Sequence, residues 1–196
     1  MLSYNLKAKT LEALFVDKHY NLVVECKQGS KKACYELYKL YSKAMLNVAF
    51  RIVGNIGDAE DVLQEAFLDV FTRIDSFRGE TTFGLWLKQI VINKSINQLR
   101  KRKVDFVNID EVEVAEEEEA DLGDLELKAE EIRQAIMSLP DRYRVVLSLY
   151  LLEGYDHSEI AHVLKISEGT SRSQFMRAKL KLNDFLIKGG VKDEKY

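Results

Sequence analysis

Apolar residues recur along most of the chain at the three- and four-residue spacing of amphipathic α-helices, while strand-like alternation is almost absent. The clearest stripe precedes a loop at residues 76–82 and predicts one helix with a continuous buried face. Gly54 and Gly57 interrupt the chain before it, so we expect Asp58 to cap its N-terminus. The stripe consists of Ala59, Val62, Leu63, Ala66, Phe67, Val70, Phe71 and Ile74.

Two further helices are predicted on either side of this stripe. One lies near residues 31–53 and the other begins after Thr82 and ends near Lys103. The three helices predict an all-helical domain over residues 20–103, preceded by an N-terminal extension, residues 1–19, to which we assign no role. The expected core positions are Ala33, Leu37, Leu40, Tyr41 and Ala44 in the first helix and Phe83, Trp86, Leu87 and Ile90 in the other.

The net charge of −3 conceals an uneven distribution. Residues 105–127 carry eleven acidic side chains and no Lys or Arg, which leaves +8 on the other 173 residues. A segment this charged buries little apolar surface, so we expect residues 104–127 to form a flexible acidic linker. It is either a solvated spacer or a mimic of nucleic-acid charge inside a basic channel of a partner. The basic character of the flanking blocks predicts phosphate contact.

Composition excludes several classes of protein. The longest apolar run, residues 145–152, is shorter than the roughly 18 residues of a membrane span. Glu12 and Asp17 interrupt the N-terminal apolar stretch, so we predict no signal peptide, no membrane insertion and a cytoplasmic location. Two cysteines, Cys26 and Cys34, are expected to be small buried thiols, with no metal site and no cofactor.

The C-terminal block, residues 128–188, has the pattern of a second helical domain, followed by a tail at 189–196. Pro140 suits the first turn of a new helix, and Asp156 with Glu159 forms a capping box for a short helix. A turn follows, and Ser167 can cap the last helix. Two helices joined by so short a turn predict a helix-turn-helix.

The last helix divides into an apolar and a polar face. We expect one face to point inward and the other to carry arginine, serine and glutamine, which pair with base edges or phosphates in the major groove. The alternative is an ordinary solvated surface. The inward positions are Ser171, Phe175, Ala178, Leu182 and Phe185; the outward ones are Arg172, Ser173, Met176 and Lys179, with Gln174 and Arg177 at the edges.

A second basic surface is predicted between residues 81 and 104, which contain six basic residues and no acid. One face of this helix joins amides and cations, a combination suited to single-stranded nucleic acid. Three nearby rings, Phe77, Phe83 and Trp86, either stack on bases or belong to the core. The face contains Asn93, Lys94, Asn97, Arg100 and Lys101.

The helix after Gly57 has an acidic outer face, Asp61, Gln64, Glu65 and Asp69, that meets either solvent or a basic protein partner. The sequence offers no nucleophile–base pair, because its three histidines are scattered, so we expect no enzyme. A nuclease holding a metal on Asp58 and Asp61 would lack a third ligand.

These residues carry a family resemblance. Residues 58–67 (DAEDVLQEAF), 77–80 (FRGE), Trp86-Leu87 and Ile92-Asn93 resemble the core-binding and promoter-melting region of bacterial sigma factors of the extracytoplasmic-function group. Residues 138–140 (SLP), 154–155 (GY), 159–161 (EIA), 169–170 (GT) and 177–178 (RA) resemble their promoter-reading domain. The motifs lie in the family's order on either side of the acidic linker.

The resemblance implies a dissociable initiation subunit that directs core RNA polymerase to promoters and helps open them. Asp61, Gln64 and Glu65 match the surface that docks on the clamp helices of the largest polymerase subunit. Asn93 matches a position near the flipped base of the melted downstream element, and Thr170 joins the upstream duplex contacts. The partners implied are core polymerase, promoter DNA and an inhibitory anti-sigma factor. The alternative is a helix-turn-helix regulator that acts without polymerase.

The sequence departs from the family pattern in three places, at four residues. Ser171 stands where an apolar residue is usual, which predicts weaker packing of the last helix. Gln174 replaces a common arginine, which predicts the loss of one phosphate contact. Asp156-His157 replaces the usual serine-tyrosine-like opening of the short helix, although the cap is retained.

Overall fold

A computed structural model describes residues 17–104, Phe106 and residues 129–190. The described residues are helical and contain no strand, which confirms the predicted all-α class. They divide into two compact units, one containing residues 17–50 and 55–98 and the other containing residues 51–54, 99–104, 106 and 129–190. Nearly all of the predicted linker, most of the N-terminal extension and the end of the tail lie outside the described residues, so the domain boundaries stay predictions.

The helices follow the order expected from the apolar pattern, except that the pattern did not predict the first one, Tyr20–Lys27. Before the acidic segment they are α1 (Tyr20–Lys27), α2 (Lys31–Val53), α3 (Ile56–Thr72) and α4 (Phe83–Lys101), with a 3-10 turn at Ile74–Ser76. After it they are α5 (Ala129–Ser138), α6 (Asp141–Leu151), α7 (His157–Leu164) and α8 (Glu168–Gly190).

Helix α3 confirms the predicted stripe, since Ala59, Val62, Leu63, Ala66, Phe67 and Val70 are all buried. Its N-cap is different from the one expected. Asn55, not Asp58, is the capping residue, and its Oδ1 accepts a hydrogen bond from the Asp58 main-chain N at 3.1 Å. The helix therefore begins one turn earlier than predicted, with Gly57 inside its first turn.

Helix α2 buries a narrower face than predicted. Ala33 and Leu37 are buried as expected, but Leu40 is 49% exposed and Ala44 is exposed as well. The stripe continues from Leu37 in steps of three and four through the half-buried Tyr41 and the buried Met45, Val48 and Ile52, which leaves Leu40 and Ala44 on its flank. Both predictions were wrong because an apolar residue beside a helical stripe can still face solvent.

The two cysteines are not free thiols. Cys26 in the last turn of α1 and Cys34 in the first turn of α2 form a disulfide, with 5.1 Å between their Cα atoms. The turn at residues 28–30 reverses the chain, and Gly29 adopts a φ of +89° there. Sequence spacing did not predict the pair because eight residues bring two side chains together only when the chain turns back between them.

The second unit has its own apolar core. Phe185, expected to point inward, is 47% exposed, and Leu186 is buried in its place. The buried position after Leu182 is therefore four residues along α8, at Leu186, and not three, at Phe185. One cluster of this core consists of Leu139, Tyr143, Leu147 and Ala178, against which Ile136, Phe175 and Leu182 pack.

Candidate nucleic-acid interface

The helix-turn-helix consists of α7 and α8, and side-chain caps define where both begin. Asp156 Oδ1 accepts from the Glu159 main-chain N at 2.8 Å, and Glu159 Oε2 accepts from the Asp156 N at 2.9 Å, which confirms the predicted capping box. Ser167 Oγ accepts from the Thr170 N at 3.0 Å at the start of α8. Lys165 ends α7 in the left-handed conformation, with φ 60°.

The outward face of α8 exposes two cations. The Arg172 side chain is 63% exposed, and its guanidinium lies 3.1 Å from Glu168 one turn earlier. Lys179 is exposed two turns further along, while Ser173, Met176 and Arg177 are half-buried between them. An exposed i,i+4 ion pair of this kind contributes little stability, so Arg172 can exchange Glu168 for a nucleic-acid acceptor at small cost.

Two of the predicted DNA contacts are buried in the second unit. Gln174 is 4% exposed, and its Nε2 donates to the main-chain oxygen of Phe106 at 2.6 Å. The Thr170 hydroxyl lies 2.8 Å from Ser167 Oγ and is likewise buried. The expectation that these side chains face DNA is therefore corrected, because their hydrogen-bonding groups serve the packing and capping of α8.

The basic face of α4 is only partly open. Asn93, Asn97 and Lys101 are exposed, as a nucleic-acid contact requires. Arg100, which belongs to the second unit, is half-buried, and its Nη2 donates to the main-chain oxygen of Val163 at 3.0 Å. Amides and a single open cation therefore dominate the exposed part of this face.

Lys94 is engaged by acidic side chains of α3. Its Nζ lies 2.8 Å from Asp69 and 3.5 Å from Glu65, and the side chain is only 20% exposed. The hydrogen bond from Lys94 is the main cause that lowers the pKa of the Asp69 carboxyl, and Arg73 acts in the same direction. Lys94 thus links the predicted melting helix to the predicted docking helix within the first unit.

The three rings near α4 belong mainly to the core. Phe77 and Phe83 are 4% and 0% exposed, and Trp86 is half-buried. Their centroids lie 5.2–5.9 Å apart in one cluster. Phe77 and Phe83 are therefore closed to base stacking, which assigns these two rings to the core.

The outer face of α3 exposes Asp61, Gln64 and Glu65, as predicted for either solvent or a partner. One turn further along, Leu68 is 68% exposed. Leu68 was not predicted from the sequence, although it lies beside the acidic face and outside the apolar stripe. Single exposed apolar side chains are common on protein surfaces, so the exposure of Leu68 is compatible with solvent as well as with a partner.

The described part of the chain contains neither a metal-ligand cluster nor a membrane-spanning helix. No three His, Cys, Asp or Glu side chains there come together as metal ligands. None of the described helices has both the length and the apolar character needed to cross a bilayer.

Comparison with known proteins matches both units. The family model for sigma-70 region 2 matches residues 37–104, and the model for sigma-70 region 4 matches residues 129–182. The ECF RNA polymerase sigma factor SigW of Bacillus subtilis (strain 168) is 31% identical over 172 residues, which cover 80% of this chain and 90% of that protein. The ECF RNA polymerase sigma-E factor of Escherichia coli (strain K12) is 32% identical over 170 residues, covering 81% and 88%.

A solved structure supports the fold. The sigma factor RpoE of Bartonella quintana, crystallised with the anti-sigma factor NepR, superposes with a TM-score of 0.51 at 22% identity, covering 82% of this chain and 98% of that one. The match to region 2 disfavours an independent helix-turn-helix regulator, since such a regulator has no need of a polymerase-binding region. With both regions present in order and relatives above 30% identity along most of their length, this chain belongs to the extracytoplasmic-function group of RNA polymerase sigma factors.

Proposed function

We propose that two helices, α8 and α4, divide promoter recognition between them. The outward face of α8 reads the upstream element as duplex, and the exposed amides of α4 hold the melted downstream element. The exposure of Arg172 on the face opposite the buried side chains of α8 carries this proposal. The proposed contacts are Arg172, Ser173, Met176, Arg177 and Lys179 upstream, and Asn93, Asn97 and Lys101 downstream, with Arg100 beside them.

The acidic face of α3 is the proposed docking surface for core polymerase. Asp61, Gln64 and Glu65 would meet the clamp helices of the largest subunit, with Leu68 as an apolar contact. Lys94 then serves mainly to hold Asp69 and Glu65 in place, and its contribution to DNA binding is indirect. Core polymerase would fix the separation of the two DNA-binding surfaces, which raises the effective concentration of the second contact.

The remaining parts of the proposal follow from family membership. The chain acts in the cytoplasm as a dissociable initiation factor, and an anti-sigma factor is a proposed inhibitor. Opening the downstream element costs a few kcal/mol per unstacked base, which is offset by hydrogen bonds and polymerase contacts. None of these steps requires this chain to make or break a covalent bond.

Arg172→Ala and Lys179→Ala form a matched pair that tests upstream recognition. Loss of Arg172 should cost about 1–3 kcal/mol at one base pair and relax the sequence preference there. Loss of Lys179 should weaken binding to all sequences alike and lower the salt slope by about one. Binding-site selection with holoenzyme, followed by salt titration, separates the two. An unchanged preference at every position in the Arg172 variant would reject its assignment.

Gln64→Ala/Glu65→Ala tests the docking surface. Both side chains are exposed, so the double variant should keep its fold while its affinity for core polymerase falls by about tenfold, as for an interface residue worth more than 1 kcal/mol. Fluorescence anisotropy with labelled chain and core polymerase measures the affinity. Glu25→Ala, which removes an exposed carboxylate from α1, is the control. Equal affinity of both variants and wild type would place the docking surface elsewhere.

A further inference from the structure

Two of the positions that depart from the family pattern contact one another. His157, the first residue of α7, places its Nδ1 2.9 Å from Ser171 Oγ on α8. Ser171 is completely buried, so its hydroxyl needs a partner inside the unit. The apolar packing that is usual at position 171 is therefore replaced by a hydrogen bond across the helix-turn-helix.

Aromatic packing fixes the histidine ring. His157 stacks on Tyr150 of α6, with 4.7 Å between centroids and 20° between planes. Phe175, one turn after Ser171, lies 5.6 Å away edge-on and also contacts Tyr150 at 4.5 Å. Three helices thus hold the ring, and the direction of its Nδ1 toward Ser171 is set by packing on two sides.

The surroundings favour the neutral ring. Burial is the main cause that lowers the pKa of His157, and the nearby Arg172 guanidinium lowers it further. Asp156 and Glu168 raise the pKa of His157, but the net shift is downward. At neutral pH one ring nitrogen carries the proton, so the Nδ1–Oγ contact exists in both tautomers, with either atom as donor.

The hydrogen bond can influence DNA recognition because of where Ser171 lies on α8. Ser171 lies between Thr170, which contacts the Ser167 cap, and Arg172, the proposed base contact. We propose that His157 is a positioning residue for promoter recognition: through Ser171 it fixes the rotation of the first turns of α8, and with it the direction in which Arg172 and Ser173 leave the helix. This inference rests on the proposed reading of duplex DNA by α8. His157 itself makes no base contact.

The test uses full-length chain bound to core polymerase and a fluorescent duplex that the wild-type holoenzyme has enriched from a random-sequence library. His157→Ala and Ser171→Ala should each weaken binding to this duplex by about fivefold, as expected for one net hydrogen bond. The double variant should bind no worse than the weaker single variant, because both changes remove the same contact. Affinity for an unselected duplex should stay unchanged.

Two controls separate positioning from other roles. His157→Asn keeps a hydrogen-bonding atom near the place of Nδ1 and should recover most of the affinity lost in His157→Ala. His162→Ala removes an exposed histidine from the same helix and should match wild type. If His157→Ala does not fold, Ser171→Ala and His157→Asn give the answer by themselves.

Distinct results would overturn the inference. A salt slope that falls by about one in His157→Ala would make His157 a phosphate contact instead. Additive losses in the double variant, or selected-duplex affinities equal to wild type, would reject the coupling through Ser171. A wild-type holoenzyme that enriches no duplex would overturn the proposed function as well, whereas enrichment with unaffected variants would overturn the positioning role alone.

Discussion

Phe83→Ala should lower the free energy of unfolding of the first unit by about 3–5 kcal/mol, the cost of truncating a fully buried phenylalanine. Phe83 is 0% exposed. Its ring centroid lies 5.4 Å from that of Tyr41 on α2 and 5.9 Å from those of Phe77 and Trp86. The cavity would therefore open where α2, α4 and the loop after the 3-10 turn meet, and each of the three neighbouring rings would lose contacts.

The chain provides its own probe for this measurement. Trp86 is the single tryptophan and belongs to the first unit, so its fluorescence during urea unfolding reports on that unit. Leu85→Ala is the matched control, because the Leu85 side chain is 47% exposed on the same helix and its loss should change stability by less than about 1 kcal/mol. Equal midpoints for the two variants would show that the aromatic cluster does not hold the unit together.

The aromatic cluster shows where sequence reasoning reaches its limit. Spacing placed Phe83 in the core, but Phe77 lies in a loop, where periodicity carries no information. Its ring is buried against Phe83 and Trp86. A tertiary contact adds to this packing: Lys27 Nζ donates to the Phe77 main-chain oxygen at 2.6 Å, and the Lys27 cation lies 5.7 Å from the ring centroid. Such contacts join residues fifty positions apart, and a one-dimensional pattern does not record them.

The sequence correctly predicted structural features that depend only on residues within one short segment. The Asp156–Glu159 capping box and the inward face of α7, formed by Ile160, Ala161 and Leu164, required only neighbouring residues, and all were confirmed. Capping failed at α3 because two acceptable caps, Asn55 and Asp58, lie three residues apart, and the side-chain geometry selects the first.

The charge and polarity of side chains predicted the candidate sites less well than apolar periodicity predicted the fold. Lys94 and Gln174 have the chemistry of nucleic-acid contacts, but an acidic pair on α3 engages the first and the Phe106 carbonyl engages the second. Their partners come from other parts of the chain, so residue type alone could not place them. Arg172 is exposed, as the spacing predicted, because it lies opposite the buried face of its own helix, and its base contact stays a prediction.

Removal of the disulfide is the second change from which we expect a large loss of stability. The disulfide between Cys26 and Cys34 closes a loop of eight residues between α1 and α2. On the chain-entropy account, such a loop stabilises the folded state by about 2.5 kcal/mol relative to the reduced chain, because the unfolded chain loses conformations. A disulfide is unusual in the reducing cytoplasm, where we propose that the protein acts. The difference in stability between the disulfide-bonded and the reduced chain is therefore the quantity to measure.

Reduction of the wild-type chain with a phosphine should therefore lower the Trp86-monitored free energy of unfolding by about 2.5 kcal/mol. The Cys26→Ser/Cys34→Ser variant should match the reduced wild type and should not respond to the reductant, which controls for effects on the rest of the chain. Alkylation of the denatured, unreduced wild type should label neither cysteine, since both sulfurs are paired. Two labelled cysteines, together with an unfolding midpoint that the reductant does not change, would show that α1 and α2 are held by packing alone. In that case the stability of the first unit would be independent of the redox state of the cell, because no other cysteine exists in the chain.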